Sequence, residues 1–244
     1  MNTLEIQDLY AGYGVQPVLR GINLHIEAGT WFCLLGPNGV GKSTLVHCLS
    51  GRLEVRQGSI RICGHALQTE LLAAKSRLGV ACAPEQLPGL LTGWQCLEIY
   101  ASAKGLTQID PAVLELAEAL SVVGYLDRYV DTYSLGTRQK VCVLLALLGD
   151  PGLIVLDEAF NGLDPRSAML LKQHLSARLA AQRCSILLAT HSLDIVEHYG
   201  DVAALLLDGR IAQAWTAVEL GALRARGGNA LEQALSVASG VMMA

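Results

Sequence analysis

Gly36-Pro37-Asn38-Gly39-Val40-Gly41-Lys42-Ser43 satisfies every fixed position of the phosphate-cradling pattern G-x-x-x-x-G-K-[ST]. The apolar run Trp31-Phe32-Cys33-Leu34-Leu35 before it predicts a buried strand, and residues 42–49 after it predict a helix. The turn therefore stands in the strand-to-helix setting that the pattern requires. Glycines let the backbone close around an anion with successive N–H groups turned inward. The unpaired donors and positive dipole end of the next helix add to them. Lys42 is placed to reach β- and γ-phosphates, and the Ser43 hydroxyl to ligate Mg²⁺. A glycine-rich turn that binds nothing is the competing reading, and the flanks weigh against it.

Outward from this turn, residues 4–9 and 18–26 alternate apolar and polar side chains on either side of Ala11-Gly12-Tyr13-Gly14, which predicts an antiparallel strand pair. Ser59-Ile60-Arg61-Ile62-Cys63 alternates likewise between Gly58 and Gly64, and residues 78–83 predict a short apolar strand ending at Pro84. Over residues 84–150 the pattern turns helical: at 94–103, at 111–120 with Asp110 as N-cap and Pro111 in the first turn, and at 138–148. Beyond lie the buried run Leu153-Ile154-Val155-Leu156, a helix over 165–180, a strand over 185–189, a helix over 193–199, and a strand over 202–206 turning at Asp208-Gly209. Alternating strands and helices imply a parallel sheet covered on both faces. The expected organisation is one α/β domain over residues 1–244. Residues 1–83 and 151–216 form its core, 84–150 an inserted helical subdomain, and 217–244 a helical tail without a motif.

Hydrophobic residues make up 52% of the 244, with a mean hydropathy of +0.38, yet no run approaches the roughly 18 apolar residues of a membrane span. The longest candidate, Val141-Cys142-Val143-Leu144-Leu145-Ala146-Leu147-Leu148, stops at Gly149-Asp150-Pro151 and reads as a buried helix. The apolar excess fits a dense α/β core or a face covered by a partner. Eighteen basic and 22 acidic residues give a net charge of −4 with no basic run, so binding along a nucleic acid strand is disfavoured. The cysteines at 33, 48, 63, 82, 96, 142 and 184 fall mostly in apolar stretches without metal-ligand spacing, and reduced, core-packed thiols are expected. No basic-then-apolar leader is visible at the N-terminus, which makes the cytoplasm the expected compartment.

Leu153-Ile154-Val155-Leu156-Asp157-Glu158 puts two carboxylates at the C-terminal end of a buried strand, the edge where open α/β sheets bind ligands. Asp157 is placed to hold Mg²⁺ beside Ser43, and Glu158 to polarise an attacking water. Further motifs follow in a fixed order. Pro84-Glu85-Gln86 looks like a Q-loop, and Tyr133-Ser134-Leu135-Gly136-Thr137-Arg138-Gln139-Lys140 looks like a divergent LSGGQ signature. Asn161-Gly162-Leu163-Asp164 is similar to a D-loop, and Thr190-His191-Ser192 to a switch histidine. In this order and spacing the chain resembles, over nearly its whole length, the nucleotide-binding subunit of ATP-binding cassette (ABC) transporters.

The resemblance implies an α/β P-loop NTPase core of the ABC ATPase kind, with an N-terminal antiparallel β region and an inserted helical subdomain. It implies that Gly36, Pro37, Asn38, Gly39, Val40, Gly41, Lys42, Ser43 and Thr44 hold the phosphates of ATP, and that Tyr13 stacks on adenine. It makes Ser43, Asp157 and Gln86 the Mg²⁺ ligands, Glu158 the group that activates water, and His191 a partner of the γ-phosphate. In this family two cassettes pack head to tail around two ATP molecules. Ser134 and Gly136, expected to precede a helix, would then meet the γ-phosphate held by the opposite subunit, and Asp164 would join the same interface. Glu85 and Gln86 each align with the Q-loop glutamine depending on a one-residue gap, and both stay open. The chain departs from the family pattern at Leu135 and Thr137, which replace a glycine and the glutamine of the signature, and at Ala159-Phe160, where Pro-Thr is usual.

The implied function is an ATP-hydrolysing motor subunit, peripheral at the cytoplasmic face of the cell membrane. It would energise a separate integral-membrane permease, together with a second copy or a paralogous cassette. The permease's cytoplasmic helix is expected near residues 85–94, between core and helical subdomain. The short C-terminus and Pro-Glu-Gln are closer to export-type cassettes. Two readings compete. One is a soluble ABC-type ATPase of translation or DNA maintenance, although such proteins carry a second cassette, a coiled-coil insertion or zinc modules. The other is a cassette whose altered signature leaves ATP binding but slows hydrolysis.

Overall fold

Residues 2–81, 83–182, 184–227 and 229–238 are described by a computed structural model. Four strands, β1 (Asn2–Ala11), β2 (Leu19–Glu27), β4 (Gln57–Ile62) and β5 (His65–Ala66), form an antiparallel sheet in the order β2-β1-β4-β5. The alternation read from residues 18–26 is visible in β2, whose Leu19, Ile22, Leu24 and Ile26 are buried. A second sheet has the order β10-β9-β3-β8-β7-β6, from β3 (Trp31–Leu35), β6 (Leu78–Ala81), β7 (Leu153–Asp157), β8 (Ser185–Thr190), β9 (Val202–Leu207) and β10 (Arg210–Trp215). Strands β9, β3, β8, β7 and β6 run parallel, and β10 joins β9 antiparallel.

The central strand explains why its sequence is apolar at every position: it faces a core on each side. Trp31, Cys33 and Leu35 point into one cluster, and Phe32 and Leu34 into another. The second cluster is closed by the antiparallel sheet and by α1 (Lys42–Leu49), which thus lies between the two sheets. The first is covered by helices α3 (Gly93–Ala103), α4 (Pro111–Ala119), α5 (Leu135–Leu147), α6 (Pro165–Ala180) and α7 (Leu193–Tyr199). Each fully buried Leu or Ile side chain contributes about 1.5–3 kcal/mol to this packing. In α5 the residues from Val141 to Leu147 are all buried, so the most apolar stretch of the chain is a core helix. Among the described residues no helix is long and apolar enough to cross a membrane.

Several elements differ from the sequence expectation. The strand expected at 59–63 begins at Gln57 and stops at Ile62, because Cys63 takes a left-handed turn conformation (φ 49°). The strand expected over 78–83 ends at Ala81, and Cys82 lies outside the described residues. Strand β10 and the short helix α2 (Leu71–Ser76) carry weak patterns because they bury little: Trp215 alone is buried in the former and Ala74 alone in the latter. The tail forms α8 (Ala217–Arg226) and α9 (Ala230–Ala238); residues 239–244 of the expected tail lie outside the described residues. Cys33, Cys48, Cys96, Cys142 and Cys184 are buried as expected, and Cys63 is half-buried.

Candidate functional site

Sheet register brings the main motifs together. In the parallel pairs, Leu35 of β3 stands beside Thr190 of β8, and Asp157 of β7 stands beside Ala189. The residues that follow these strands, namely Gly36 onward, Glu158 and His191, therefore leave the sheet at one edge, as parallel α/β sheets arrange their ligand sites. A cleft of about 140 Å³ opens there, lined by Asn38, Gly39, Gly41, Lys42, Ser43, Thr44, Asp157 and Glu158.

The glycines of the turn have steric reasons. A Cβ on Gly36 would stand 2.6 Å from the Leu206 carbonyl oxygen. Gly41 takes φ 117° with Leu19 and Val18 packed against it, and it is the N-cap of α1 without any side-chain cap. The first donors of α1 are thus left for an anion. Lys42 is buried, and its Nζ donates to the carbonyl oxygens of Gly36 (2.7 Å) and Pro37 (3.2 Å), which keeps the ammonium at the cleft.

Glu158 is the hub of the site. Its backbone is in the left-handed region (φ 48°), a conformation that costs a non-glycine residue energy and that the neighbours must hold in place. Its Oε1 lies 2.8 Å from His191 Nδ1 and 3.8 Å from Lys42 Nζ. Against a carboxylate, Nδ1 must carry the hydrogen. Its Oε2 accepts from Thr190 Oγ1 and from Asn161 Nδ2, both at 3.3 Å. Asp157 is half-buried, and burial pushes its carboxyl up, partly offset by a hydrogen bond from Ser43. Its Oδ1 is buried without a hydrogen-bond partner among the described residues. An oxygen pair of this kind, one hydroxyl and one carboxylate with an unsatisfied atom, suits Mg²⁺ shared with substrate phosphates.

The other expected site residues lie elsewhere. Tyr13 is half-exposed on the β1–β2 turn. Glu85 and Gln86 are exposed on a single 3-10 turn, Pro84–Gln86, and do not line the cleft. The Gln86 Oε1 accepts instead from the Arg52 guanidinium. Ser134 is the N-cap of α5, its Oγ accepting from the Thr137 N–H at 3.1 Å. Gly136 does not precede this helix as expected but sits in its first turn, because the helix capped by Ser134 begins at Leu135, three residues before the expected start at 138. A Cβ on Gly136 would stand 2.8 Å from the Gly162 carbonyl oxygen, so this helix start is packed onto the Asn161-to-Asp164 loop. Lys140 pairs with Asp164 at 3.2 Å across the same contact. The hydroxyl and N–H of Ser167, and then Lys140, hold the Asp164 carboxyl well below the usual carboxylate range.

The roles of Thr190 and Asn161 toward Glu158 were not read from the sequence, although both lie in quoted motifs. The signal for Thr190, a hydroxyl ending an apolar strand, becomes readable only when β8 is known to lie beside β7.

Comparison with known proteins shows the family and the fold. The sequence profile of the ABC transporter family matches residues 19–161, more than half of the chain. An uncharacterised ABC transporter ATP-binding protein of Bacillus subtilis, YdbJ, is 32% identical over 208 residues, covering 85% of this chain and 67% of the relative. The lantibiotic transport ATP-binding protein SrtF of Streptococcus pyogenes is 28% identical over 208 residues, covering 85% of this chain and 88% of the relative. A solved ATP-binding subunit of an ABC transporter superposes with a TM-score of 0.85 at 29% identity, covering 97% of this chain and 99% of that one.

Proposed function

This chain belongs to the ABC transporter family as an ATP-binding subunit, and from that premise we propose that it hydrolyses ATP to drive a separate membrane permease, closing head to tail on a second copy of itself. The observation that carries the proposal is the convergence of Lys42, Glu158 and His191 at one sheet edge, with Glu158 Oε1 at 2.8 Å from His191 and 3.8 Å from Lys42.

In this reading the turn from Gly36 to Thr44 and Lys42 bind the phosphates and gather charge. Ser43 and Asp157 would hold Mg²⁺, which neutralises charge on the phosphate oxygens. Glu158 takes a proton from water as its oxygen attacks the γ-phosphorus. The bond from γ-phosphorus to the bridging oxygen breaks, giving ADP and phosphate. Thr190 and Asn161 fix one carboxylate oxygen of Glu158, and His191 fixes the other. Because His191 Nδ1 already donates to Glu158, its ring donates to a phosphate oxygen from Nε2 only as an imidazolium. Gln86 completes the site after leaving Arg52. Ser134, Gly136 and Asp164 are presented to the site of the second copy.

The permease helix, expected from the sequence near residues 85–94, is proposed instead to dock in a groove of about 520 Å³ between α2, β6 and the end of α3, which none of residues 85–94 lines. Leu72, Leu78 and Tyr100 supply apolar lining; Arg52, Lys75 and Lys104 supply positive charge, with no carboxylate among the described lining residues. Burial lowers the Lys104 pKa to about 8, and its Nζ donates to the Leu78 and Leu148 carbonyls. An amphipathic cytoplasmic helix of the permease suits such a groove. Arg52, which holds Gln86, lies on its wall, so docking and completion of the site share a residue. Residues 84–150 would act as the helical lobe that moves with the permease.

Titration of the purified chain with Mg-ATP tests the site. Lys42→Ala should weaken binding by about 10- to 100-fold, since a charged hydrogen-bond donor contributes about 1.5–3 kcal/mol. Unchanged affinity would remove Lys42 from the account.

A further inference from the structure

We propose that His47 and Arg56 are positioning residues that hold the Tyr13 ring against α1, the helix that starts at the phosphate turn, so that it stands ready to stack on the purine of the bound nucleotide. The inference rests on the ATP site proposed above and adds what sets its base-binding half.

A half-exposed tyrosine on a glycine turn has free side-chain rotamers, and fixing them on binding costs entropy. Here the cost is already met. The Tyr13 hydroxyl lies 2.8 Å from His47 Nδ1. His47 is on α1, four residues and so about one helical turn beyond Ser43. The far end of the ring is thereby tied to the helix whose start receives the phosphates. The residue nevertheless stays 51% exposed.

The backbone of the same turn is held independently. Arg56 Nη2 donates to the carbonyl oxygen of Gly12 at 3.0 Å and to that of Gly14, the residues on either side of Tyr13. The Arg56 N–H bonds the Tyr10 carbonyl oxygen at 3.0 Å. The turn is also tight in itself, since a Cβ on Gly12 would stand 2.1 Å from the Gln16 carbonyl oxygen. Side chain and backbone are thus gripped by two residues of one segment, the helix after the phosphate turn and the loop that leaves it. Neither grip residue lines the phosphate cleft, so the grip acts on the base and not on the phosphates. One aromatic stacked on a base contributes enough for about a fivefold or larger change in affinity.

The test compares binding of Mg-ATP with binding of Mg-tripolyphosphate, which has the phosphates and no base. Tyr13→Ala should weaken ATP by about 5- to 20-fold and leave tripolyphosphate unchanged. His47→Ala and Arg56→Ala should each weaken ATP by about 3- to 10-fold, again sparing tripolyphosphate, with the loss in KM exceeding that in kcat. His47→Gln, which keeps a hydrogen-bonding group, should recover most of the loss. Tyr13→Phe combined with His47→Ala should be no worse than either alone, because both remove one bond. Losses that add in the double variant, or that fall equally on tripolyphosphate, would overturn the positioning role. So would a Tyr13→Ala loss without any from His47 or Arg56. A wild-type chain that binds neither probe would instead overturn the nucleotide site itself.

Discussion

Lys42 and Leu135 each open a helix, yet the two helix starts are built for opposite purposes. At α1 the N-cap is Gly41 without a side-chain cap, Lys42 is buried, and the first turn faces a cleft closed by the chain's own Asp157 and Glu158. At α5 the N-cap is Ser134, whose hydroxyl already satisfies the Thr137 N–H, and Leu135 is 57% exposed at the surface. The first is an uncapped helix start that faces a cleft of its own chain. The second is a finished, outward-facing edge, braced from behind by Gly162 and Asp164. One chain thus gathers the charged groups of its own cleft, while the start of α5 faces outward; in the function proposed above, that edge serves as the other wall of a second chain's site.

The largest way to break this contrast is within the first region. Glu158→Gln keeps size and most contacts but removes the proton acceptor, so turnover should fall by about 10²–10⁴-fold while Mg-ATP affinity stays close to wild type and a dimer accumulates. Steady-state hydrolysis with size-exclusion chromatography in ATP measures both. An active Glu158→Gln enzyme would move general-base catalysis to another group.

A smaller effect sharpens the second region. Asp164 is held below its usual range, so its contribution to folding is fully present above the ordinary carboxylate value of 3.8 and is lost as pH falls below that. Asp164→Asn should therefore be less stable than wild type at neutral pH and show a shallower loss of stability on acidification below about pH 4. Lys140→Met should reproduce a part of that change. Denaturant unfolding across pH reads it, and identical acid slopes would show that the brace behind α5 is not electrostatic.

What was legible in the sequence follows the same division. The bounds of β3, α1, α6 and α7 and the cleft residues Asn38, Gly39, Gly41, Lys42 and Ser43 could be read because strand, turn and helix are contiguous and strongly patterned. Asp157 and Glu158 were readable from the strand they end. The contacts that complete the site join residues far apart in the chain: Thr190 with Glu158, Arg52 with Gln86, and His47 with Tyr13. No local pattern encodes such pairs, because they depend on which strands become neighbours. The start of α5 was placed late for another reason: its first turn, Leu135 to Arg138, is partly exposed, so the burial pattern begins only beyond it.

In the proposed function each hydrolytic site is shared, with Lys42 from one chain and Ser134 from another. Mixing two inactive variants tests it most directly. Lys42→Ala lacks the phosphate grip, and Ser134→Arg lacks the presented wall. In a head-to-tail pair of the two, one site keeps Lys42 from the second variant and Ser134 from the first. ATP hydrolysis should therefore reappear in the mixture, at up to about a quarter of the activity of the wild-type chain at equal concentration, since random pairing makes half of the pairs mixed and each mixed pair has one intact site of two. A mixture as inactive as each variant alone would contradict the claim and place the whole site within one chain.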